Sequence, residues 1–171
     1  AYKVLTGFEE GGRCRRGYFI ESLGGAQFAA AATVDRLRGY LSDIDPHRRD
    51  YRAVVLAAAD PANPYGAALP WPAGEAAARP GRKAGALVVL VDGELTWFVE
   101  RGGRSLLSFT DDAEAHRAAA VALAEMVPGR IASLLVERVD GVTVLQAHGS
   151  PVHTALTDAG FHRTPRGLRL R

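Results

Sequence analysis

The chain has 171 residues, 47% hydrophobic and 23% charged, with a formal charge of +2. That length supports one sizeable core, or one core with a small appendage, but not comfortably two full domains. A mean hydropathy of -0.04 fits a globular chain rather than a disordered one, and no apolar run is long enough to cross a bilayer. Cys14 is the single cysteine, which excludes an internal disulfide and fits a cytoplasmic protein. His47, His116, His148, His153 and His162 show no zinc spacing, so no metal is expected.

The opening residues, AYKVLTGFEEGG, contain neither an initiating methionine nor a signal-peptide core, so the chain reads as a piece of a longer protein. Val4, Leu5 and Phe8 recur at helical spacing and stop at Gly11 and Gly12, as the last turn of a helix begun upstream would. Arg13 to Glu21 then alternates in a strand-like way around Gly17. A helix end, a glycine pair and a basic strand fit either the wing of a winged helix or the first strand of a barrel. From Thr33, read as an N-cap, Val34, Leu37 and Leu41 share one face of a short helix ending before Pro46.

Tyr51 to Ala59 is read as a buried strand running into DPANPYG, Asp60 to Gly66. Prolines and glycines from Pro61 to Gly81 then leave one irregular loop of roughly twenty residues, a length that tends to be functional or mobile. Next come three strands joined by an Asp92-Gly93 turn and an Arg101-Gly102-Gly103 turn, an antiparallel meander. Asp111 and Asp112 open a helix closed by Pro128-Gly129. A second Asp-Gly turn, Asp140-Gly141, joins ASLLVERV to VTVLQA. Ser150 and Pro151 start a last helix, Gly160 ends it, and Gly167 to Arg171 forms a final strand with alternating leucines and arginines. The order predicts an α+β fold built on an antiparallel sheet or small β-barrel with two to three packed helices. Residues 1–12 are expected to end an upstream winged-helix module and residues 13–171 to form a single barrel-like domain.

Phosphate-binding and hydrolase motifs are absent: RPGRKAGA lacks the second half of a P-loop, and no G-x-S-x-G, H-E-x-x-H or EF-hand loop occurs. Two polar residues stand out as candidate catalytic groups. Asp60, at a strand end beside two prolines, is either an Asx-type cap or a general base or charge stabiliser for N-glycosidic bond cleavage. Gln27, in GGAQFA, is either a turn residue bonded to main chain or a group that positions water. Tyr65 and Trp71 are packing residues or platforms for an unpaired base. Arg13, Arg15 and Arg16 near the start, Arg82 and Lys83 at a loop tip, and Arg163, Arg166 and Arg169 at the end are the candidate DNA contacts. His153 and His162 are expected on the surface.

RRGYFIESLGGAQFA, Arg15 to Ala29, resembles the region that follows the winged-helix modules in the large helicase-related proteins, Lhr. DPANPYGAALPWP, RPGRKAGALVVLVDGELTWFVERGGRSLLSF and AGFHRTPRGLRLR resemble the end of the same proteins in the same order. The meander also resembles the barrel of helix-turn-helix-type alkylpurine DNA glycosylases. The resemblance implies the C-terminal accessory region of a superfamily 2 DNA-repair helicase. Its ATP- and magnesium-dependent motor would lie upstream, and no cofactor is expected in this chain. It further implies single-stranded or damaged DNA, the upstream helicase core and winged-helix modules, and a second copy of the chain as partners. The alternative it raises is a glycosylase module removing uracil.

Overall fold

The computed structural model describes residues 2–20, 24–42, 49–73, 79–127 and 133–171. Glu21, Pro46, His47, Gly74 and Pro128-Gly129, which carry predicted features, lie outside them. The chain divides into two compact units, Ala1–Arg49 and Asp50–Arg171. The basic strand pairs within the first unit.

The first unit contains α1 (Tyr2–Glu10), β1 (Cys14–Gly17), β2 (Gln27–Ala30) and α2 (Ala31–Ser42). β1 and β2 form an antiparallel hairpin with Arg15 opposite Ala29 and Arg16 opposite Phe28. Opposed residues share a face, so Cys14, Arg16 and Phe28 look one way and Arg15 the other. α1 takes the first face: Tyr2 meets Phe28 edge-on at 5.5 Å, and the Cys14 thiol donates to the Leu5 carbonyl at 3.4 Å. α2 begins at Ala31, so Thr33 sits inside the helix and does not cap it. Val34 is the only fully buried hydrophobic residue among the described residues of this unit, and Leu37 is exposed.

The second unit carries the core. A six-stranded sheet has the order β3-β4-β5-β6-β8-β9, with β3 (Ala53–Ala57), β4 (Leu87–Val91), β5 (Glu94–Val99), β6 (Ser105–Ser108), β8 (Arg138–Val139) and β9 (Val142–Thr143). The predicted meander is β4-β5-β6, and all neighbours are antiparallel except β6 and β8. Asp92 and Gly93 at φ 50° and 85°, and Asp140 and Gly141 at φ 50° and 82°, have the paired positive φ that a two-residue turn between twisted strands requires. Both aspartates also brace a neighbour: Asp92 accepts from the Tyr51 and Arg52 amides, Asp140 from the Ser108 amide and hydroxyl. A second sheet, β10-β11-β7, joins β7 (Leu134–Val136) to the hairpin of β10 (His162–Thr164) and β11 (Gly167–Leu170). Among the described residues no barrel closes, and β3 and β9 remain edges. The α+β expectation with an antiparallel sheet holds, and the barrel alternative does not.

Both faces of the large sheet are buried, which is why β4 reads as an unbroken apolar run. Val89, Val91, Trp97, Val99 and Leu106 pack under α3 (Ala113–Glu125) and α4 (Pro151–Asp158), against Ala119, Leu123, Val152 and Leu156. Val88, Leu90, Phe98 and Leu107 face the other way, against Ala58, Tyr65 and Trp71 of the proline-rich loop. That loop is the sheet's second covering layer. β3 is half-covered, with Val54 exposed, because it is an edge strand rather than the buried strand its apolar run suggests. Asp112 caps α3 by accepting from the Glu114 and Ala115 amides. Ser150 caps α4 with Pro151 in its first turn.

Candidate nucleic-acid interface

In the first unit the basic hairpin is held from inside. The Gln27 side-chain oxygen accepts from the Phe19 and Ile20 amides at 2.9 and 2.8 Å, and its nitrogen donates to the Ile20 and Gly24 carbonyls at 2.9 Å each. All four hydrogen-bonding positions of the amide are thereby used. Gln27 is a hairpin-tying residue in this geometry, with nothing left over to orient water. Arg15 pairs with Asp35 at 3.6 Å and Arg16 with Glu9 at 3.1 Å, each arginine about half exposed. Arg13 lies 5.7 Å over the Phe8 ring. Exposed pairs of this kind are weak, so the guanidinium groups exchange readily for another anion.

In the second unit the loop that carries Asp60 is similarly self-contained. The Asp60 carboxylate accepts from the Ala62 amide at 2.8 Å, the Asx geometry of a turn. Asn63 is fully buried and donates to the Ala58 carbonyl at 2.9 Å. Arg82 reaches back across the loop: one nitrogen donates to the Asn63 and Tyr65 carbonyls at 2.7 and 3.2 Å, the other to the Ala59 and Asp60 carbonyls at 3.2 and 2.9 Å. The planar guanidinium fork collects four carbonyls as a lysine ammonium could not. Its role here is to staple the loop. Lys83 beside it is exposed.

Tyr65 and Trp71 stack at 6.3 Å, and Trp71 meets Phe98 edge-on at 5.7 Å. The Tyr65 hydroxyl accepts from the Leu95 amide at 3.1 Å. Gly66 makes this fit possible, since a Cβ there would stand 2.4 Å from the Trp71 indole nitrogen. The two aromatics form a lid on the sheet, so of their two sequence readings the geometry realises packing.

The three terminal arginines do not form one edge. Register places Arg163 opposite Leu168, and Arg169 opposite His162 and Leu135, so Arg163 and Arg169 occupy opposite faces of their hairpin. Arg166, in the turn, binds Glu137 at 2.9 Å. The Arg169 Nε is buried without a hydrogen-bond partner among the described residues. Arg163 is exposed.

Two groups escaped the sequence reading. His116 is buried on the core side of α3, where its Nδ1 accepts from the Trp97 indole N–H at 2.9 Å. Burial holds its pKa below the usual histidine value, against a smaller opposing effect of the Thr110 main chain. The helical spacing of Ala115, His116, Ala119, Ala120 and Leu123 was the available signal. His153, expected on the surface, is buried instead, while His162 is exposed. Burial, then the charges of His148 and Arg163, lower its pKa. The other overlooked group is Tyr18, 84% exposed directly after β1.

Among the described residues no helix is long and apolar enough to cross a membrane, and no three His, Cys, Asp or Glu side chains gather as metal ligands. The fold and these surfaces define a small helix-and-hairpin unit followed by an α+β domain. Residues 1–49 match the model of the winged-helix domain of large helicase-related proteins. The chain is 68% identical over 175 aligned residues to a Mycolicibacterium smegmatis protein named Lhr helicase/probable uracil glycosylase, covering 99% of this chain and 12% of that protein. It is 41% identical over 170 residues to the Escherichia coli protein named Lhr helicase/uracil glycosylase, covering 96% of this chain and 11% of that one. The chain belongs to the Lhr family and spans about an eighth or less of the length of these relatives.

Proposed function

We propose that this chain is a C-terminal accessory module of an Lhr-type helicase, one that holds DNA while ATP- and magnesium-dependent translocation, and any chemistry on DNA, take place elsewhere in the protein. The observation that carries this reading is a division of labour among polar residues. Of the two candidate catalytic groups, Gln27 is spent within its own loop, and the Asp60 carboxylate is engaged at one oxygen by the Ala62 amide. Arg13, Lys83 and Arg163 are exposed and make no ion pair among the described residues. Arginine and lysine side chains in that state are the groups that neutralise phosphate and release counterions. The helicase core and winged-helix modules would be partners within the same protein, and a second copy is a further candidate.

The test is the salt dependence of binding to a labelled single strand by the 171-residue chain. Replacing Arg13, Lys83 and Arg163 together by alanine is expected to flatten the slope of log K against log salt by about 2, since each single-strand phosphate neutralised by the protein adds ~0.7 to its magnitude. A parental slope in a folded triple variant would rule out these three side chains as phosphate contacts.

The names of both relatives favour a second reading, removal of uracil from DNA. In that reading Asp60 would act on a flipped base through the carboxylate oxygen that its Asx turn leaves unused.

A further inference from the structure

We infer that Tyr18 is a stacking platform for an unpaired nucleobase, presented directly after β1 where the chain leaves the β1-β2 hairpin; this rests on the DNA-holding reading above. Tyr18 is the most exposed large hydrophobic side chain among the described residues, at 84% against 59% for Val4 and Tyr40. A ring in water on a floppy loop means little, but the main chain beside Tyr18 is tied. Gln27 grips the Phe19 and Ile20 amides on one limb and the Gly24 carbonyl on the other. The segment also sorts its two aromatics. Phe19 folds back over Gly17, where a Cβ would stand 3.1 Å from its ring, and Tyr18 extends past Gly25, whose Cβ would lie 3.4 Å from the tyrosine hydroxyl. Ordering the backbone in advance reduces the entropy lost when a ligand lands on the ring.

The chemistry around the ring selects the ligand. At 84% exposure the Tyr18 ring is not enclosed by the described residues, which offers an aliphatic side chain little to fill, whereas a nucleobase needs only a π-face. Arg15 and Arg16 lie on the strand that leads to Tyr18 and Arg13 immediately precedes that strand, and the described residues 13–20 and 24–30 include no carboxylate. Glu21, the acidic residue of the intervening sequence, lies outside the described residues. The two pairs that hold Arg15 and Arg16, with Asp35 and Glu9, are exposed and exchange for phosphate at small cost. Base stacking on the ring with phosphate against the arginines would give sequence-tolerant binding of unpaired strands.

The experiment uses the 171-residue chain with a single strand containing 2-aminopurine and with a fully paired duplex of the same sequence. Tyr18→Ala is expected to weaken single-strand binding roughly tenfold, to abolish the quenching of 2-aminopurine, and to leave the duplex affinity and the salt slope unchanged. Tyr18→Trp should restore both the affinity and the quenching. Parental quenching and affinity in Tyr18→Ala would overturn the platform while leaving the DNA-holding reading intact. Failure of the parent chain to bind either probe would overturn both. A Tyr18→Ala defect confined to self-association, read as mass in solution, would assign Tyr18 to protein contact and overturn the platform.

Discussion

Arg82→Ala is expected to destabilise the second unit by about 2–4 kcal/mol, since hydrogen bonds to a charged group contribute ~1.5–3 kcal/mol each and water replaces part of them. The guanidinium joins four carbonyls between Ala59 and Tyr65, and the loop so held covers Phe98 and Leu95 on one face of the sheet. Releasing it exposes both the orphaned carbonyls and the apolar floor. Arg82→Lys should recover less than half of the loss, because an ammonium supplies three diverging donors rather than a planar fork. Urea unfolding followed by tryptophan fluorescence reads the effect cleanly, as Trp71 and Trp97 are the only tryptophans and both lie in this unit. If Arg82→Ala left the unfolding midpoint in place and instead flattened the salt dependence of DNA binding, Arg82 would be a phosphate contact and not a staple.

His116→Phe is expected to show an effect that depends on pH. At pH 7.5 it leaves the buried Trp97 indole N–H without its acceptor, at a cost of about 1–3 kcal/mol. The parent carries a different liability. His116 and His153 both titrate below their ordinary value of 6.5 in the folded chain, so the unfolded chain takes up protons first as pH falls. Stability present above that ordinary value is therefore lost progressively as pH drops below it, toward the lowered folded pKa values. Removing one of the two histidines removes part of that loss, so the gap between parent and variant should narrow from pH 7.5 to pH 5. A gap that stayed constant or widened toward pH 5 would mean that His116 is not held neutral by its surroundings.

Local chemistry was legible where the backbone demanded it. The Asp92-Gly93 and Asp140-Gly141 turns, the Asp112 cap and the Ser150-Pro151 helix start each depend on a few adjacent residues. What escaped depends on pairings distant in sequence. Alternation along β5 would put Leu95 with Trp97 and Val99, but an irregularity sets Leu95 opposite Leu90 and Trp97 opposite Val89. Thr96 becomes an extra residue, and Leu95 turns to the loop side with Phe98. No periodicity announces such a shift. Likewise, DPANPYG reads as a loop, whereas its staple, Arg82, stands 19 residues beyond Asn63. Of the candidate site, the residues were visible as types, and their commitments were not. Arg15 and Arg16 alternate to opposite faces of one strand, and Arg163 and Arg169 lie on opposite faces of the β10-β11 hairpin, a property of register that charge clustering conceals.

The central claim is that this chain holds DNA without acting on it, and uracil excision tests it most directly. The 171-residue chain is incubated with a labelled single strand containing one uracil, at a concentration where binding is complete, and abasic sites are then cleaved with alkali. The account expects a bound, intact strand. Strand cleavage by the chain that disappears in Asp60→Asn would contradict it and return the chemistry to the loop at Asp60.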